Sequence, residues 1–212
     1  MAESTEQDLT GARFEGSGLR APLALPITTE RLALRIYRED DLEPTLAYYA
    51  LPEVARYIPF EPWTRQVAVE QLKKRLRRTG IDDDKKELGL VVEHAGKVIG
   101  DVCLWCADDT RKRGEMGWAF RPDVAGRGFA TEAVHALVDV AFGRYGMQRV
   151  FAQLDARNSA SARLCERVGM SREAHLRRDW WAKGEWSDTL VYGLLREEWD
   201  SGRTATVKPV RV

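Results

Sequence analysis

The sequence lacks a long apolar run and an excess of charge of either sign. Its 212 residues carry 33 lysines and arginines against 33 aspartates and glutamates, so the formal net charge at pH 7 is zero. Because no global field attracts nucleic acid or an anionic membrane, any charged ligand must be held locally, and no direct nucleic-acid partner is expected. No stretch is apolar for the length of a signal peptide or a membrane span, which predicts a cytoplasmic protein with no membrane partner.

Cysteine and histidine are also scarce, with three residues of each. Cys103 and Cys106 form "CLWC" inside an apolar β-type run, where side chains three residues apart point to opposite faces. Cys165 is far away in sequence, and the three histidines show no spacing typical of metal ligands. The sequence therefore predicts neither a metal site nor a redox pair.

The length and the 44% hydrophobic content fit one α/β domain. Residues 1–26 are rich in Gly, Ser, Thr and acidic residues, which predicts a flexible N-terminal extension. Residues 27–199 are expected to form the single domain. Residues 200–212 are expected to be a disordered C-terminal tail.

Hydrophobic periodicity within this domain indicates mixed α and β structure. The second predicted helix begins at Thr64, with Val67, Leu72 and Leu76 on or near its inner side. Asn158 is the expected N-cap of a later helix that ends before Gly169. The predicted strands cover residues 31–37, 113–120, 149–155 and 186–195, and two more lie within residues 87–106, on either side of a turn at residues 93–97. The predicted helices start near residues 40, 64, 129 and 159.

Two glycines, Gly126 and Gly128, stand at the start of the helix predicted from Phe129, in "AGRGFATEA". A helix N-terminus carries unpaired N–H groups and partial positive charge, so it binds phosphate where side chains do not block the approach. Arg127 adds a local cation. In the alternative interpretation the glycines only let a strand turn into a packed helix. A dinucleotide fold and a P-loop are disfavoured, because the third glycine of the first motif and the Gly-Lys pair of the second are missing.

The stretch "AGRGFA" resembles the signature [QR]-x-x-G-x-[GA] of the GNAT superfamily of N-acetyltransferases, with Gly128 and Ala130 in place and Ala125 where Gln or Arg is usual. Four stretches are similar to its RimJ/RimL-like branch: "ITTERLALR", "GEMGWAFRPDVAGRGFATEA", "RVFAQLDARNSASARLCERVGM" and "GEWSDTLVYGLLREEW". The resemblance implies an α+β fold with a central, mixed but mostly antiparallel, V-shaped sheet of about seven strands flanked by helices.

The resemblance also implies that acetyl-CoA is the co-substrate. Its pyrophosphate would bind the loop and helix start formed by Gly126, Arg127, Gly128, Phe129, Ala130 and Thr131. Backbone groups near Phe120 and Arg121 would pair with the pantetheine arm. Asn158 would hold that arm from the next helix, or serve as a plain N-cap, or do both.

Acetyl transfer needs a neutral amine and a proton for the departing thiolate. Glu115 occupies the strand position at which many members of the family keep a catalytic base, although it could also be a surface charge. Many members use a tyrosine as the acid, and Cys165 stands at that place; Ser161 matches a serine found in the RimJ/RimL-like branch, or is only a polar helix residue. Cys165 is expected to be a buried small hydrophobe.

The acceptor is expected to be a primary amine, either a protein N-terminus or a small molecule. An α-amine with a pKa of about 8 is neutral more often at pH 7 than a lysine with a pKa of about 10.4. Trp180, Trp181 and Asp188 belong to the segment that borders the acceptor pocket in the family, and they could receive a cationic amine. Core packing and hairpin pairing are the structural alternative for them.

Two other functions and one assembly stay open at this point. The chain could be a catalytically idle module that binds acyl-CoA as a sensor or scaffold. The basic run "KKRLRR", residues 73–78, could dock on the ribosome or another nucleic acid, although such runs are usually solvated helix faces. A homodimer is a further expectation from the resemblance.

Overall fold

A computed structural model of the protein describes residues 23–82 and 84–206. The flexible extension expected at the N-terminus falls on residues that lie mostly outside this part of the chain. The strands are β1 (Ile27–Thr28), β2 (Leu32–Ile36), β3 (Thr79–Gly80), β4 (Glu87–His94), β5 (Lys97–Cys106), β6 (Arg113–Phe120), β7 (Arg149–Asp155), β8 (Ser171–Ala182) and β9 (Glu185–Leu195). The helices are α1 (Leu42–Tyr49), α2 (Pro52–Ala55), α3 (Arg65–Arg75), α4 (Phe129–Asp139), α5 (Ser159–Val168) and α6 (Arg196–Thr206).

The strands form one sheet in the order β1-β2-β4-β5-β6-β7-β9-β8, and β3 pairs with β4. All pairs are antiparallel except β6 with β7. This arrangement confirms the mixed, mostly antiparallel sheet. Seven strands have five or more residues, and two-residue strands at β1 and β3 bring the total among the described residues to nine.

Strand β8 was not predicted from the sequence. Its twelve residues are almost all exposed, on both faces of the strand, and bulges interrupt its pairing with β9. A strand without a buried face lacks the alternation of apolar and polar residues on which prediction depends.

The helices begin close to where the sequence predicts them. Thr64 caps α3, since its side chain accepts the N–H of Val67 at 3.3 Å. The expectation that Val67 faces the core is wrong: its exposed fraction is 36%, and Ala68 with Leu72 forms the buried side instead. At the other end of the domain, α6 continues through the expected boundary at residue 199 as far as Thr206.

Two hydrophobic cores lie on opposite faces of the sheet. Leu90 and Val92 of β4 belong to the larger core, beneath α4 and α5, whereas Val91 between them belongs to the smaller core, beneath α1 and α3. Alternate residues of a strand point to opposite faces, so β4 is buried on both. Within the part of the chain that the structure describes, no helix combines the length and apolarity that a membrane crossing requires.

The sheet divides between β6 and β7. Only three residue pairs join these strands, from Arg113 with Arg149 to Glu115 with Phe151. After Glu115, β6 continues to Phe120 along β5, while β7 continues to Asp155 along β9. The diverging strands open a slot between them, as expected for a V-shaped sheet.

Gly100 of β5 sets how closely β5 approaches the end of β6. A Cβ at this position would collide with the carbonyl oxygen of Ala119 and lie 2.5 Å from the ring of Phe120. We therefore expect Gly100→Ala to lower the free energy of unfolding by about 1–3 kcal/mol, since overpacking forces the backbone to move. Gly143→Ala is the control, because a Cβ there meets nothing within 4 Å. Urea unfolding of both variants measures the difference, and equal stabilities would contradict the expectation.

Candidate active site

A cleft of roughly 510 Å³ lies where β6 and β7 diverge. Its walls come from β5, β6 and β7, from the start of α5, from the hairpin of β8 and β9, and from the segment that follows α2. The slot in the sheet is therefore continuous with a larger chamber. A ligand in this chamber reaches side chains from both arms of the V.

Glu115 lies at the last residue pair before the strands part, and it lines the cleft. Gln153 of β7 donates from Nε2 to Oε1 of Glu115 at 3.2 Å. Burial raises the pKa of the Glu115 carboxyl above its ordinary value, and hydrogen bonds from Gln153 and Trp105 only partly oppose that rise. A carboxylate with a raised pKa in a cleft has the character of a general base.

Ser161, in the first turn of α5, also lines the cleft. The indole Nε1 of Trp118 donates to Oγ of Ser161 at 3.2 Å. Because this bond uses a lone pair of the oxygen, the hydroxyl proton of Ser161 is left to donate elsewhere. Trp118 is on β6, so the hydroxyl is fixed relative to the strand that carries Glu115.

Asn158 caps α5, since its Oδ1 accepts the backbone N–H of Ser161 at 3.1 Å. This confirms the predicted N-cap. The side chain also lines the cleft. The cap uses the amide oxygen alone, so a contact from its amino group to a ligand in the cleft is compatible with it.

The loop before α4 forms an open N-terminal cradle. Gly126 and Gly128 have φ angles of +75° and +80°, a left-handed backbone conformation that residues other than glycine rarely adopt. No side chain caps α4, and the first backbone N–H of this segment with an acceptor among the described residues is that of Glu132. The N–H groups of residues 126–131 are therefore available to an anion such as a diphosphate, and the residues present fit that group.

Arg31 supports this cradle, and the sequence interpretation missed it. Its Nη1 donates to the carbonyl of Arg127 at 2.9 Å, and its Nε donates to Glu132 at 2.7 Å. The guanidinium groups of Arg31 and Arg127 lie 4.6 and 4.7 Å from the ring centre of Phe129. Although burial acts in the opposite direction, hydrogen bonds from Thr29 and Arg31 hold the pKa of Glu132 below its usual value. Glu132 therefore stays ionised, and the guanidinium of Arg31, 2.6 Å from its Oε2, balances its charge beside the anion site.

Phe120 and Arg121 stand at the end of β6, beyond the last pair with β7. Neither belongs to the lining of the cleft. The Arg121 side chain pairs with Asp123 at 2.8 Å, and its N–H donates to the carbonyl of Ile99. Their expected role through backbone groups stays a prediction.

Of the three residues expected to bind the acceptor, only Trp180 lines the cleft. Trp181 packs edge-on against Trp186, with ring centres 5.4 Å apart. Asp188 binds Nε2 of His175 at 2.8 Å and the N–H of Arg178 at 2.9 Å. Trp181 and Asp188 thus pack and pair within the hairpin, and their expected contact with the acceptor stays a prediction.

A buried polar network forms one wall of the cleft. Asp101 accepts the hydroxyls of Tyr48 at 2.7 Å and Tyr49 at 3.1 Å, and Arg75 donates to Tyr49 at 2.9 Å and to Tyr37 at 3.2 Å. Burial, followed by the charge of Asp101, raises the pKa of all three tyrosines well above its ordinary value, so they remain neutral phenols. A lone acidic residue in the apolar run of β5 was the only sequence signal for this network.

Cys165 is fully buried and does not line the cleft, which confirms its expected role as a small hydrophobe. Burial raises the pKa of the Cys165 and Cys103 thiols to about 12. Neither thiol is therefore an effective nucleophile at neutral pH. Among residues 23–82 and 84–206, no group of three or more His, Cys, Asp or Glu side chains could hold a metal ion.

Comparisons with known proteins agree with this geometry. The family model for the acetyltransferase (GNAT) domain matches residues 31–171. The uncharacterised N-acetyltransferase p20 of Bacillus licheniformis is 28% identical over 81% of this chain and 96% of its own length. A GNAT-family acetyltransferase from Bacillus anthracis superposes with a TM-score of 0.72 at 25% identity, covering 81% of this chain and 98% of that one.

A third comparison concerns a solved complex. Spermidine N-acetyltransferase from Vibrio cholerae, crystallised with CoA and spermine, superposes with a TM-score of 0.68. It is 23% identical, and the match covers 81% of this chain and 99% of that one. At this identity the likeness supports the fold alone.

The three cysteines should differ in reactivity. Cys103 and Cys106 are both partly exposed, whereas Cys165 is buried. We expect Cys106 to react first with a thiol reagent at pH 8, because burial raises the pKa of both Cys103 and Cys165 to about 12. Absorbance during labelling of the native protein measures the phases, and Cys106→Ser should remove the fast one. A fast phase that survives this substitution would contradict the assignment.

Proposed function

The chain belongs to the GNAT acetyltransferase family, and on this premise we propose that it transfers the acetyl group of acetyl-CoA to a primary amine by direct attack in a ternary complex. The observation that carries the proposal is the division of the sheet after Glu115, which puts a carboxylate with a raised pKa at the point where the cleft opens. Acetyl-CoA supplies the activated acetyl group, and the chain supplies orientation and proton transfer.

Glu115 is the proposed general base. An amine attacks only as the neutral form, so a group that accepts its proton near the reacting atoms raises the rate. The raised pKa of Glu115 makes its carboxylate a stronger base than an ordinary glutamate. Gln153 and Trp105 donate to the carboxylate, whose two oxygens offer about four lone pairs, so lone pairs are left for the amine or an intervening water.

Ser161 is the proposed general acid for the departing thiolate. Its support is the hydrogen bond from Trp118, which orients the oxygen and leaves the proton free to donate. Cys165 is a poor competitor for this role, because it is buried away from the cleft. Good alignment of the reactants can compensate for a weak acid, since positioning alone removes several kcal/mol of a barrier.

The acceptor is proposed to be either a protein N-terminus or a small-molecule amine. The first choice follows from the four stretches similar to the RimJ/RimL-like branch. The open N-terminus of α4, backed by Arg31 and Arg127, supports the proposed binding of the acetyl-CoA pyrophosphate. Asn158, Phe120 and Arg121 complete the proposed path of the pantetheine arm.

Binding of acetyl-CoA is the first test. Calorimetry should detect binding by the unmodified protein and none by Gly128→Glu, whose side chain brings bulk and negative charge into the cradle. Gly143→Glu is the matched control, since it adds the same charge at an exposed position with open space near the other end of the helix. Absence of binding by the unmodified protein would contradict the function. Binding without transfer to any amine would favour the idle acyl-CoA-binding module.

The pH profile of kcat/KM tests Glu115. The rate should fall as the pH drops through the pKa of Glu115, because the protonated acid cannot accept the amine's proton. Since the bond from Gln153 lowers this pKa, Gln153→Leu should move the acidic limb to higher pH. Glu115→Gln should cost about 10² to 10⁴ in rate and remove that limb. A limb unchanged in both variants would assign it to the amine substrate instead.

Ser161→Ala should lower kcat by about a hundredfold at constant KM for acetyl-CoA, if its hydroxyl protonates the leaving group. Ser161→Thr, which keeps a hydroxyl, should recover part of the rate. Cys165→Ala is the comparison variant and should leave kcat within about twofold. Steady-state kinetics with release of the CoA thiol measure all three, and full activity of Ser161→Ala would point to water as the acid.

A further inference from the structure

We infer that the acceptor is a small monoamine whose amino group is joined by a short alkyl chain to an aromatic ring. This inference rests on the proposed function and narrows its acceptor. It is carried by two properties of the cleft lining, namely the distribution of its charges and the number of its aromatic rings.

Most of the charged residues of the lining are held in ion pairs. Five acidic and five basic residues line the cleft. Arg78 pairs with Glu87 at 2.7 Å, Arg157 pairs with both Asp155 and Glu185, and Arg75 lies 4.0 Å from Asp101. A cationic ligand therefore finds few carboxylates that are not already neutralised.

Glu115 is the exception. Among the described residues that line the cleft, it is the one carboxylate without a cationic partner, and its hydrogen bonds come from neutral side chains. One free carboxylate receives one ammonium group. A polyamine would bring further positive charges close to Arg56 and Lys183, the two cations of the lining that have no carboxylate partner among the described residues, and these charges would be repelled.

Aromatic rings surround the rest of the chamber. Phe60 follows α2 and Trp180 is on β8, and each keeps an exposed fraction of 53% although it lines the cleft. Exposed rings at the entrance of a cleft offer stacking faces to a flat ligand. The full aromatic lining is Tyr37, Tyr49, Tyr57, Phe60, Trp105, Trp118 and Trp180.

Trp105 belongs to the aromatic lining and is also a neighbour of the proposed general base, Glu115. It is the direct cross-strand partner of Glu115 between β5 and β6. A Cβ at Gly117 would lie 3.3 Å from two atoms of the Trp105 ring, so the absence of a side chain there makes room for the indole. Cross-strand neighbours have Cβ atoms about 5 Å apart. A ligand whose amine binds Glu115 can therefore reach the aromatic lining with its own ring through a short alkyl chain.

A bond across the chamber favours a small acceptor over a protein chain. Lys183, at the tip of the β8–β9 hairpin, donates from Nζ to the carbonyl of Ala55 in α2 at 2.5 Å. Lys183 and Arg56 both line the cleft, so this bond joins its two walls. A polypeptide acceptor would have to pass beside or displace this contact.

The proposed reaction balances without an oxidant or reductant. A C–N bond forms at the acceptor nitrogen and the C–S bond of the thioester breaks. The bound ammonium group gives one proton to Glu115 and attacks as the neutral amine. The nitrogen loses a second proton as the amide forms, and the departing sulfur gains one, so that a single proton remains on Glu115 to be released. The products are an N-acetylated arylalkylamine and a free thiol.

A panel of amines with the full-length protein and saturating acetyl-CoA tests this inference. We expect kcat/KM for phenylethylamine and tryptamine to exceed that for spermidine, cyclohexylethylamine and a short peptide with a free N-terminus, by about tenfold or more. Preference for spermidine or for the peptide would overturn the inference while leaving the acetyltransferase intact. Failure of acetyl-CoA to bind in calorimetry would instead overturn the function on which it rests.

Substitutions of the two exposed aromatic residues, Phe60 and Trp180, test where the ring of the acceptor binds. Phe60→Ala and Trp180→Ala should each raise KM for phenylethylamine about fivefold or more and leave KM for acetyl-CoA unchanged. Leu176→Ala is the control, because Leu176 is an exposed hydrophobic residue of β8 that does not line the cleft. If KM for phenylethylamine is the same in all three variants, the aromatic entrance does not bind the acceptor, and the inference is wrong.

Discussion

The structure depends on a hydrogen-bonding constraint, the end of pairing between β6 and β7 after Glu115. Paired backbone groups are the rule in buried strands, so strands that part this early leave edges that another extended group can satisfy. The same crossover carries the chain into α4, whose first N–H groups also lack acceptors among the described residues. One break in pairing thus creates both the slot and the anion site beside it.

Much of the fold could be predicted because it is written in local patterns. Asn158 and Gly169 mark the ends of α5 as a cap and a left-handed glycine do in general, and hydrophobic patterns identified β2 and β4 to β7. The prediction that Val67 faces the core was wrong because packing partners decide which face of a helix is buried, and these partners are not evident from the sequence. The same reason hides β8, whose residues contact β9 but bury neither face.

The site residues also fall into two groups, those that a local motif reveals and those that only contacts between distant parts of the chain reveal. The glycines of the cradle, Glu115 and Ser161 lie in stretches with a recognisable motif, and the structure brings Glu115 and Ser161 to one cleft. Arg31 and the network around Asp101 were missed because their contacts join residues far apart in sequence. Asp188 was chosen for its charge, but its carboxylate oxygens already contact His175 and the N–H of Arg178 within the hairpin.

A chain with zero net charge can still be selective for a charged ligand, because selectivity depends on which charges are left unpaired. In the cleft, three arginines pair with four carboxylates, and two of those, Asp155 and Glu185, share Arg157. Each pair rigidifies a wall and removes a competing site. Burial then raises the pKa of the remaining carboxylate, Glu115, and makes it a stronger base. Electrostatic recognition and proton transfer therefore converge on one side chain, while aromatic surface supplies the rest of the binding energy.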